Sequence, residues 1–269
     1  MKNTSNTKFQ YIWNNIYIAD NTDLTPRQED YYKHSHYRYE LYIFLNGNAS
    51  FTEESHCYEL QPGVVILIPP FHYHFVTVNS SSTPYHRIIF NFDSNIIYPE
   101  LNPFIQSEHH PYIWDCDEHG LLLTRFESNI NRYSNSDAAL ASQILLNSLL
   151  LSFKYSIQNS QKIKKINPTI SEILKFINNH IFEPLSLNTI ASNLYLNPSY
   201  ISHLFSSNMK IGLMEYIKQK KINMAIELIE HGTSPTDASM KVGFNDYSTF
   251  YRLYKKYTNN LPSKQIKPV

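Results

Sequence analysis

The stretch Val242-Gly243-Phe244-Asn245-Asp246-Tyr247-Ser248-Thr249-Phe250-Tyr251-Arg252-Leu253-Tyr254-Lys255-Lys256 decides the fold. Phe250, Leu253 and Tyr254 stand at i, i+3 and i+4, the spacing of one buried helix face. Asp246 is placed to cap that helix, and Gly243 suits a preceding turn that needs positive φ. With Thr236–Val242 before it, the pattern is a short helix, a tight turn and a second helix. The same pattern occurs upstream. Thr189-Ile190-Ala191 opens a short segment, Tyr195-Leu196-Asn197 makes a turn, and Pro198 to Ser207 forms a second segment. Its Ile201, Leu204 and Phe205 fall on Phe250, Leu253 and Tyr254 when the copies are aligned from their right ends. Asn197 and Pro198 supply a cap and a first helical residue.

A helix-turn-helix can lay its second helix in the major groove of DNA. The faces opposite the apolar ones are polar. The first copy shows Ser199, Ser202, His203 and Ser206, and the second shows Tyr247, Ser248, Tyr251, Arg252 and Lys255. These side chains can donate to base edges and phosphates. One copy alone reads equally well as an ordinary helical hairpin with a solvated face. Two copies in register are harder to read that way. Leu213–His231 between them predicts a helix about 28 Å long at ~1.5 Å per residue. That is comparable to the ~34 Å between successive major-groove faces of a duplex.

Residues Ile170–Lys267 resemble the DNA-binding domain of the AraC/XylS family of bacterial transcription regulators. The matching residues are Leu187, Ile190-Ala191 and Leu194, then Tyr200-Ile201-Ser202 with Leu204-Phe205. Glu215-Tyr216-Ile217, Lys221-Ile222 and Ala225 follow, and then Val242-Gly243-Phe244, Asp246, Ser248 to Arg252, Tyr254 to Lys256, and Pro262. The chain departs from the family at Ala238-Ser239, where Ile-Ala is usual, and at Lys210 and Asn259, where Gly is usual. The resemblance implies sequence-specific binding to double-stranded promoter DNA, with RNA polymerase and a second copy of the chain as further partners.

The 269 residues suit two domains. Net charge is zero, with 23 basic and 23 acidic residues, but its distribution is uneven. From Ser160 onward 14 Lys and Arg stand against 7 Asp and Glu, leaving the N-terminal part at −7 and the rest at +7. A cationic half beside an anionic one fits a DNA-binding domain joined to something else. Cys57 and Cys116 lack metal-ligand spacing and suit a reducing, cytoplasmic setting. No signal peptide is expected from polar residues 1–15, and no apolar run approaches the ~18 residues of a membrane span. There is no phosphate-cradling Gly-rich loop and no nucleophile elbow.

The N-terminal half reads as strands at Ile16–Ala19, Tyr39–Leu45, Ala49–Thr52, Val64–Ile68, His72–Val78 and Arg87–Phe92, a sandwich or barrel. Residues 1–15 read as a loose terminus and residues 93–115 as a connecting loop. His34, His36 and Glu40 are followed by Gly47, and Gly63 by Pro69 and His74. Two His at i and i+2 on a strand share a face. Three imidazoles and a carboxylate form an N/O shell suited to Mn, Fe, Ni or Zn. The pattern resembles the two motifs of the cupin β-barrel, with Phe71 where Gly is usual and the closing Asn missing. The AraC family frequently carries a cupin as its sensor, and regulatory cupins often keep these residues without a metal. The effector set is therefore read as His34, His36, Tyr39, Glu40, Tyr42 and His74, with no cofactor, or with a divalent metal on His34, His36, Glu40 and His74. The Tyr-rich surroundings suit a small molecule such as a carbohydrate, by family resemblance; Tyr is also simply favoured in strands.

Two helices are expected next, Leu121–Tyr133 and the apolar Ala138–Tyr155, capped by Asp137. The wide apolar face must pack on the barrel or against a second copy. The expected architecture is a two-domain α+β chain. A cupin-like effector domain spans 1–115, a helical packing or dimerisation segment 116–158, a linker 159–169, and an all-α domain with two helix-turn-helix motifs 170–269. The implied function is a cytoplasmic, non-enzymatic transcriptional activator responding to a small molecule. Its rivals are a metal-dependent cupin enzyme with a helical appendage and a regulator without a small-molecule effector.

Overall fold

Alternating apolar residues fold the N-terminal half into two facing antiparallel sheets. The computed structural model describes residues 5–13, 16–31, 33–54, 56–107, 112–113, 118–155, 164–165 and 167–263. Its strands are β1 (Ser5–Trp13), β2 (Ile16–Asp23), β3 (Tyr39–Asn46), β4 (Ala49–Glu53), β5 (His56–Glu59), β6 (Val64–Ile68), β7 (His74–Val78), β8 (Tyr85–Phe92), β9 (Tyr112–Ile113) and β10 (Lys164–Lys165). One sheet runs β1-β2-β8-β3-β6-β9 and the other β10-β5-β4-β7.

The period of two along β3 assigns its side chains to two cores. Tyr39, Leu41 and Ile43 face the helices, whereas Tyr42 and Phe44 face the second sheet. Val65 and Leu67 of β6 and Ile88, Phe90 and Phe92 of β8 join the helical side. The helices there are α2 (Glu118–Asn129) and α3 (Asn135–Tyr155), which follow a short α1 (Asn102–Ile105). Leu145, Leu146, Leu149, Leu150 and Phe153 of α3 are buried against the sheet. Truncating one such Leu to Ala costs ~2–5 kcal/mol. Asn147, buried among them, is satisfied: it accepts from the Tyr98 N–H and donates to the carbonyls of Ile96 and Gln143. Among the described residues α3 alone has the length and apolarity to cross a membrane, although 44% of its most apolar window is buried inside the protein.

Three expectations fail here. The terminus is not loose: residues 5–13 form β1, paired along β2 from Ser5↔Asp23 to Trp13↔Ile16. Its first half, Ser5 to Lys8, holds no apolar residue, so pairing rather than pattern defines it. Residues 93–115 are not a plain loop. They hold short helical turns at Ser94–Ile96 and Pro99–Leu101, then α1 and β9. Asp137 does not cap α3. Ser134 does, its Oγ accepting from the Asp137 N–H while donating to the Asp137 carboxylate at 2.7 Å. Cys116 and residues 159–163 and 166 of the expected linker lie outside the described residues.

The C-terminal half is helical: α4 (Pro168–Asn179), α5 (Leu187–Asn193), α6 (Pro198–Met209), α7 (Leu213–Glu230), α8 (Pro235–Lys241) and α9 (Tyr247–Thr258). The caps are where the sequence places them: Asn197 Oδ1 accepts from the Ser199 N–H at 2.8 Å, and Asp246 Oδ1 from the Thr249 N–H at 2.7 Å. Ile201, Phe205, Phe250 and Tyr254 are fully buried. Gly243 has φ +78°, and an added Cβ would lie 2.3 Å from the Phe182 carbonyl oxygen. α4 to α6 share one core with the N-terminal part of α7, and α8 and α9 share another with its C-terminal part.

Candidate functional site

The strand register builds a cavity of about 240 Å³ between the two sheets. Tyr17 pairs with Asn91 and Asn91 with Glu40, so β2, β8 and β3 place these three in one row. Tyr42, Tyr85 and Arg87 continue the wall, and Phe51, His74 and Val76 close it from the other sheet. Arg87 Nη1 donates to Asp23 Oδ2 at 2.8 Å and its guanidinium lies over the rings of Tyr31 and Tyr85. Tyr31 also donates to Asp23, at 2.6 Å. The Tyr42 and Tyr85 hydroxyls hydrogen-bond one another. Burial lowers the Arg87 guanidinium, but the charges of Tyr85 and Asp23 outweigh it and raise it overall.

His34, His36, His74 and Glu40 converge at one end. Their ligand atoms all lie within 4.8 Å of one another. His36 Nε2 is 3.0 Å and His74 Nε2 3.8 Å from the same Glu40 oxygen. Carbonyl oxygens can only accept, so His36 donates from Nδ1 to Arg38 and His74 from Nδ1 to His72. That leaves the buried His74 Nε2 as a bare lone pair with no hydrogen bond among the described residues. Burial, and then the neighbouring His34 charge, push His74 down to about 3, so its ring is neutral at physiological pH. Burial alone would raise Glu40. The His36 hydrogen bond and the charges of His74, His36 and His34 outweigh it and hold the carboxyl at about 2. A neutral imidazole and an ionised carboxylate aimed at one point are the donor set a divalent cation takes. Phe71 has φ +65°, which is why the motif it interrupts favours Gly.

Of the effector residues expected from the sequence, His34, Glu40, Tyr42 and His74 line the cavity. His36 joins through its hydrogen bond to Glu40. Tyr39 does not belong to the set. It is a strand neighbour of Glu40 and so points to the opposite face, where its ring stacks on Phe92 with centroids 5.7 Å apart. The sequence reading missed Tyr17, Tyr85, Arg87 and Asn91. A charged residue at the start of an apolar run, as Arg87 is before Ile88-Ile89-Phe90, was the available signal.

On the other domain, α6 exposes Ser199, Ser202, His203 and Ser206, and α9 exposes Tyr247, Ser248, Tyr251, Arg252 and Lys255. All the residues expected on the two polar faces are thus displayed opposite the buried ones. The Arg252 guanidinium is 3.5 Å from the Thr249 hydroxyl. Tyr195, in the turn before α6, is 95% exposed.

The two domains match two known families. Residues 22–153 match the AraC-like ligand binding domain and residues 190–267 a helix-turn-helix domain. The chain belongs to the AraC family of transcriptional regulators. It is a DNA-binding regulator with a ligand-binding domain, not an enzyme. It is similar to an uncharacterized HTH-type transcriptional regulator of Bacillus subtilis (strain 168), 22% identical over 79% of this chain and 71% of that one. It is also similar to the arabinose operon regulatory protein of Escherichia coli (strain K12), 24% identical over 84% of this chain and 79% of that one. The melibiose operon regulatory protein of the same strain is 26% identical over 56% of this chain and 45% of its own length.

Proposed function

We propose that the chain is a cytoplasmic transcriptional activator whose effector is a small sugar held in the intersheet cavity. The observation that carries this reading is the cavity wall of Tyr17, Tyr31, Tyr42 and Tyr85 with Arg87, Glu40 and Asn91. Aromatic faces suit the C–H patches of a sugar ring, and the charged and amide groups suit its hydroxyls. Its volume of about 240 Å³ lies below the ~300–1,000 Å³ of pockets for drug-sized ligands, which favours a molecule of one or two rings. Relatives named for arabinose and melibiose operons support the class. The chain acts as a dimer through the outer side of α3, where Leu140, Ile144 and Leu151 are each about half exposed. Promoter-bound dimers recruit RNA polymerase.

A thermal-shift panel of mono- and disaccharides tests this. A ligand at a hundred times its Kd adds ~2.7 kcal/mol to the native state, which at ~2–4 °C per kcal/mol is several degrees. A panel in which no sugar raises the melting temperature rules the sugar out.

A second reading is favoured by the bare Nε2 of His74: the His34, His36, Glu40 and His74 cluster takes a divalent metal as effector or as part of the sensor. His34, His36 and His74 would supply nitrogen ligands and Glu40 an oxygen, and the ion would act as a fixed positive charge at the cavity end. Calorimetric uptake of Zn²⁺ or Ni²⁺ by the wild type, lost in His36→Ala, is expected. Equal uptake by both proteins overturns it.

A further inference from the structure

One layer of chain, residues 33–37, separates the cavity from the DNA-binding domain, and its side chains alternate. His34, which is exposed, and His36 turn toward His74, with ring centroids 4.5 and 5.0 Å from that of His74. Lys33, Ser35 and Tyr37 turn outward. Lys33 Nζ is 3.5 Å from the carbonyl of Lys210, which closes α6. Asn223 of α7 donates to both the carbonyl and the hydroxyl oxygen of Ser35, at 2.7 Å each. Tyr37 packs into the core that holds α8 and α9 against α7, and its phenol hydrogen-bonds Glu230. The start of β7 repeats the division: His74 faces the cluster while Tyr73, the residue before the strand, sits in the core of α4 to α7. The layer is tied to β7 by the reciprocal backbone hydrogen bonds of His34 and His74, 3.2 and 2.9 Å long.

A second tie lies alongside. Glu54 is buried and held at φ +46°, a backbone that a side chain disfavours. Its carboxylate accepts from the Tyr216 hydroxyl of α7 at 2.9 Å and from the Tyr73 N–H at 2.9 Å, with Lys220 Nζ 3.7 Å away. Tyr216, Lys220, Asn223 and Glu230 follow one another at i, i+4, i+7 and i+14, so a single stripe of α7 grips the barrel domain. α7 is also the helix that joins the two helix-turn-helix motifs. The interface joins these hydrogen bonds to the rings of Tyr37, Tyr73 and Phe75, which pack into the cores of the helical domain.

We propose that residues 33–37, together with Glu54, couple the cavity to the DNA-binding domain, and that α7 is the receiving element. This rests on the effector-sensing reading of the cavity. A ligand that moves His34 or His36 moves Ser35 and Tyr37 on the same backbone, and with them the helix that sets the relative position of the two recognition helices. Coupling of this kind is reciprocal. DNA bound at α6 and α9 must therefore alter the segment at the cavity wall.

The test uses the full chain and a duplex that the wild type selects from a random-sequence pool. Duplex affinity is measured without effector for Asn223→Ala, Tyr216→Phe and Glu54→Gln, none of which alters α6 or α9. Amide hydrogen exchange of residues 33–37 is followed with and without duplex. Each variant is expected to change the duplex Kd at least threefold. Tyr216→Phe and Glu54→Gln combined should change it by less than the sum of the two, because Phe removes and Gln only weakens the same charge-assisted hydrogen bond. Exchange at 33–37 should change when the wild type binds duplex. Kd values within twofold of wild type, together with exchange at 33–37 unaltered by duplex, overturn the coupling. Should a variant fail to fold, the wild-type exchange result decides alone. Titration of Ni²⁺ and of the sugar panel into the wild type reports separately on the cavity: no uptake counts against effector sensing while the exchange result still decides the coupling.

Discussion

Lys210 and Asn259 close the two recognition helices in the same way, each in the left-handed region with φ of 56° and 55°. The two copies of the motif therefore share their C-terminal geometry as well as their buried faces. A residue with a Cβ pays ~1–2 kcal/mol for this backbone, less for Asn, whose short side chain tolerates it. Lys210→Gly is expected to stabilise the chain by ~0.5–1 kcal/mol after the larger unfolded-state entropy of Gly is counted. Asn259→Gly should gain less. Thermal unfolding of both variants checks the order, and a destabilised Lys210→Gly would contradict it.

Gly243 and Gly232 separate strain from space. Both have positive φ, 78° and 89°, but only Gly243 has neighbours within 4 Å of an added Cβ, among them Lys221 Nζ at 2.9 Å. Gly232→Ala should cost only the backbone term, ~1–2 kcal/mol. Gly243→Ala should cost ~3 kcal/mol or more, because the Phe182 carbonyl cannot retreat without breaking the Lys221 hydrogen bond to Glu183 beside it. Equal denaturant midpoints for the two variants would show that the site relaxes.

Arg252 and Lys255 should differ in kind. The planar guanidinium can bind a guanine edge bidentately, so Arg252→Ala should cost ~1–3 kcal/mol and relax preference at one base position. Lys255→Ala should weaken all duplexes alike and reduce the salt dependence by about one ion. Fluorescence anisotropy against a set of single-base operator variants distinguishes them. Arg252→Ala that binds every duplex like the wild type would remove Arg252 from the base-reading face.

The outer stripe of α3 predicts an oligomer. Leu140, Ile144 and Leu151 are exposed at spacings that share one helix side, opposite Leu145, Leu146 and Leu149. Ile144→Glu should raise the dimer dissociation constant about a hundredfold, equivalent to ~2.7 kcal/mol, and leave the melting temperature of the dilute protein unchanged. Sedimentation showing the same mass for wild type and variant would place the interface elsewhere.

The cap of α9 gives a pH dependence of known sign. The Thr249 N–H holds the Asp246 carboxyl below its ordinary value of 3.8. The folded state therefore favours the ionised form. Its contribution is fully present above pH 3.8 and is lost as the pH falls through the lower folded value. Asp246→Asn keeps an acceptor for the Thr249 N–H and should remove that part of the acid loss, seen as a shallower fall of melting temperature below pH 4.

The helix-turn-helix copies, their caps and the bridging helix were legible because each rests on local facts: 3.6-residue spacing, an Asn or Asp before the first turn, a glycine where φ is positive. The strands with clean alternation were legible for the same reason, and so was the convergence of His34, His36, Glu40 and His74. Strand register was not. It decides that Tyr39 stacks on Phe92 while Glu40 faces the cavity, and that Tyr17, Asn91 and Arg87 join a wall with residues far away in sequence. A slip of one residue would exchange every one of these faces. The grip of α7 on Ser35 and Glu54 joins positions more than 160 residues apart. No spacing along the chain could announce it, because it depends on how two independently patterned domains come to rest against each other.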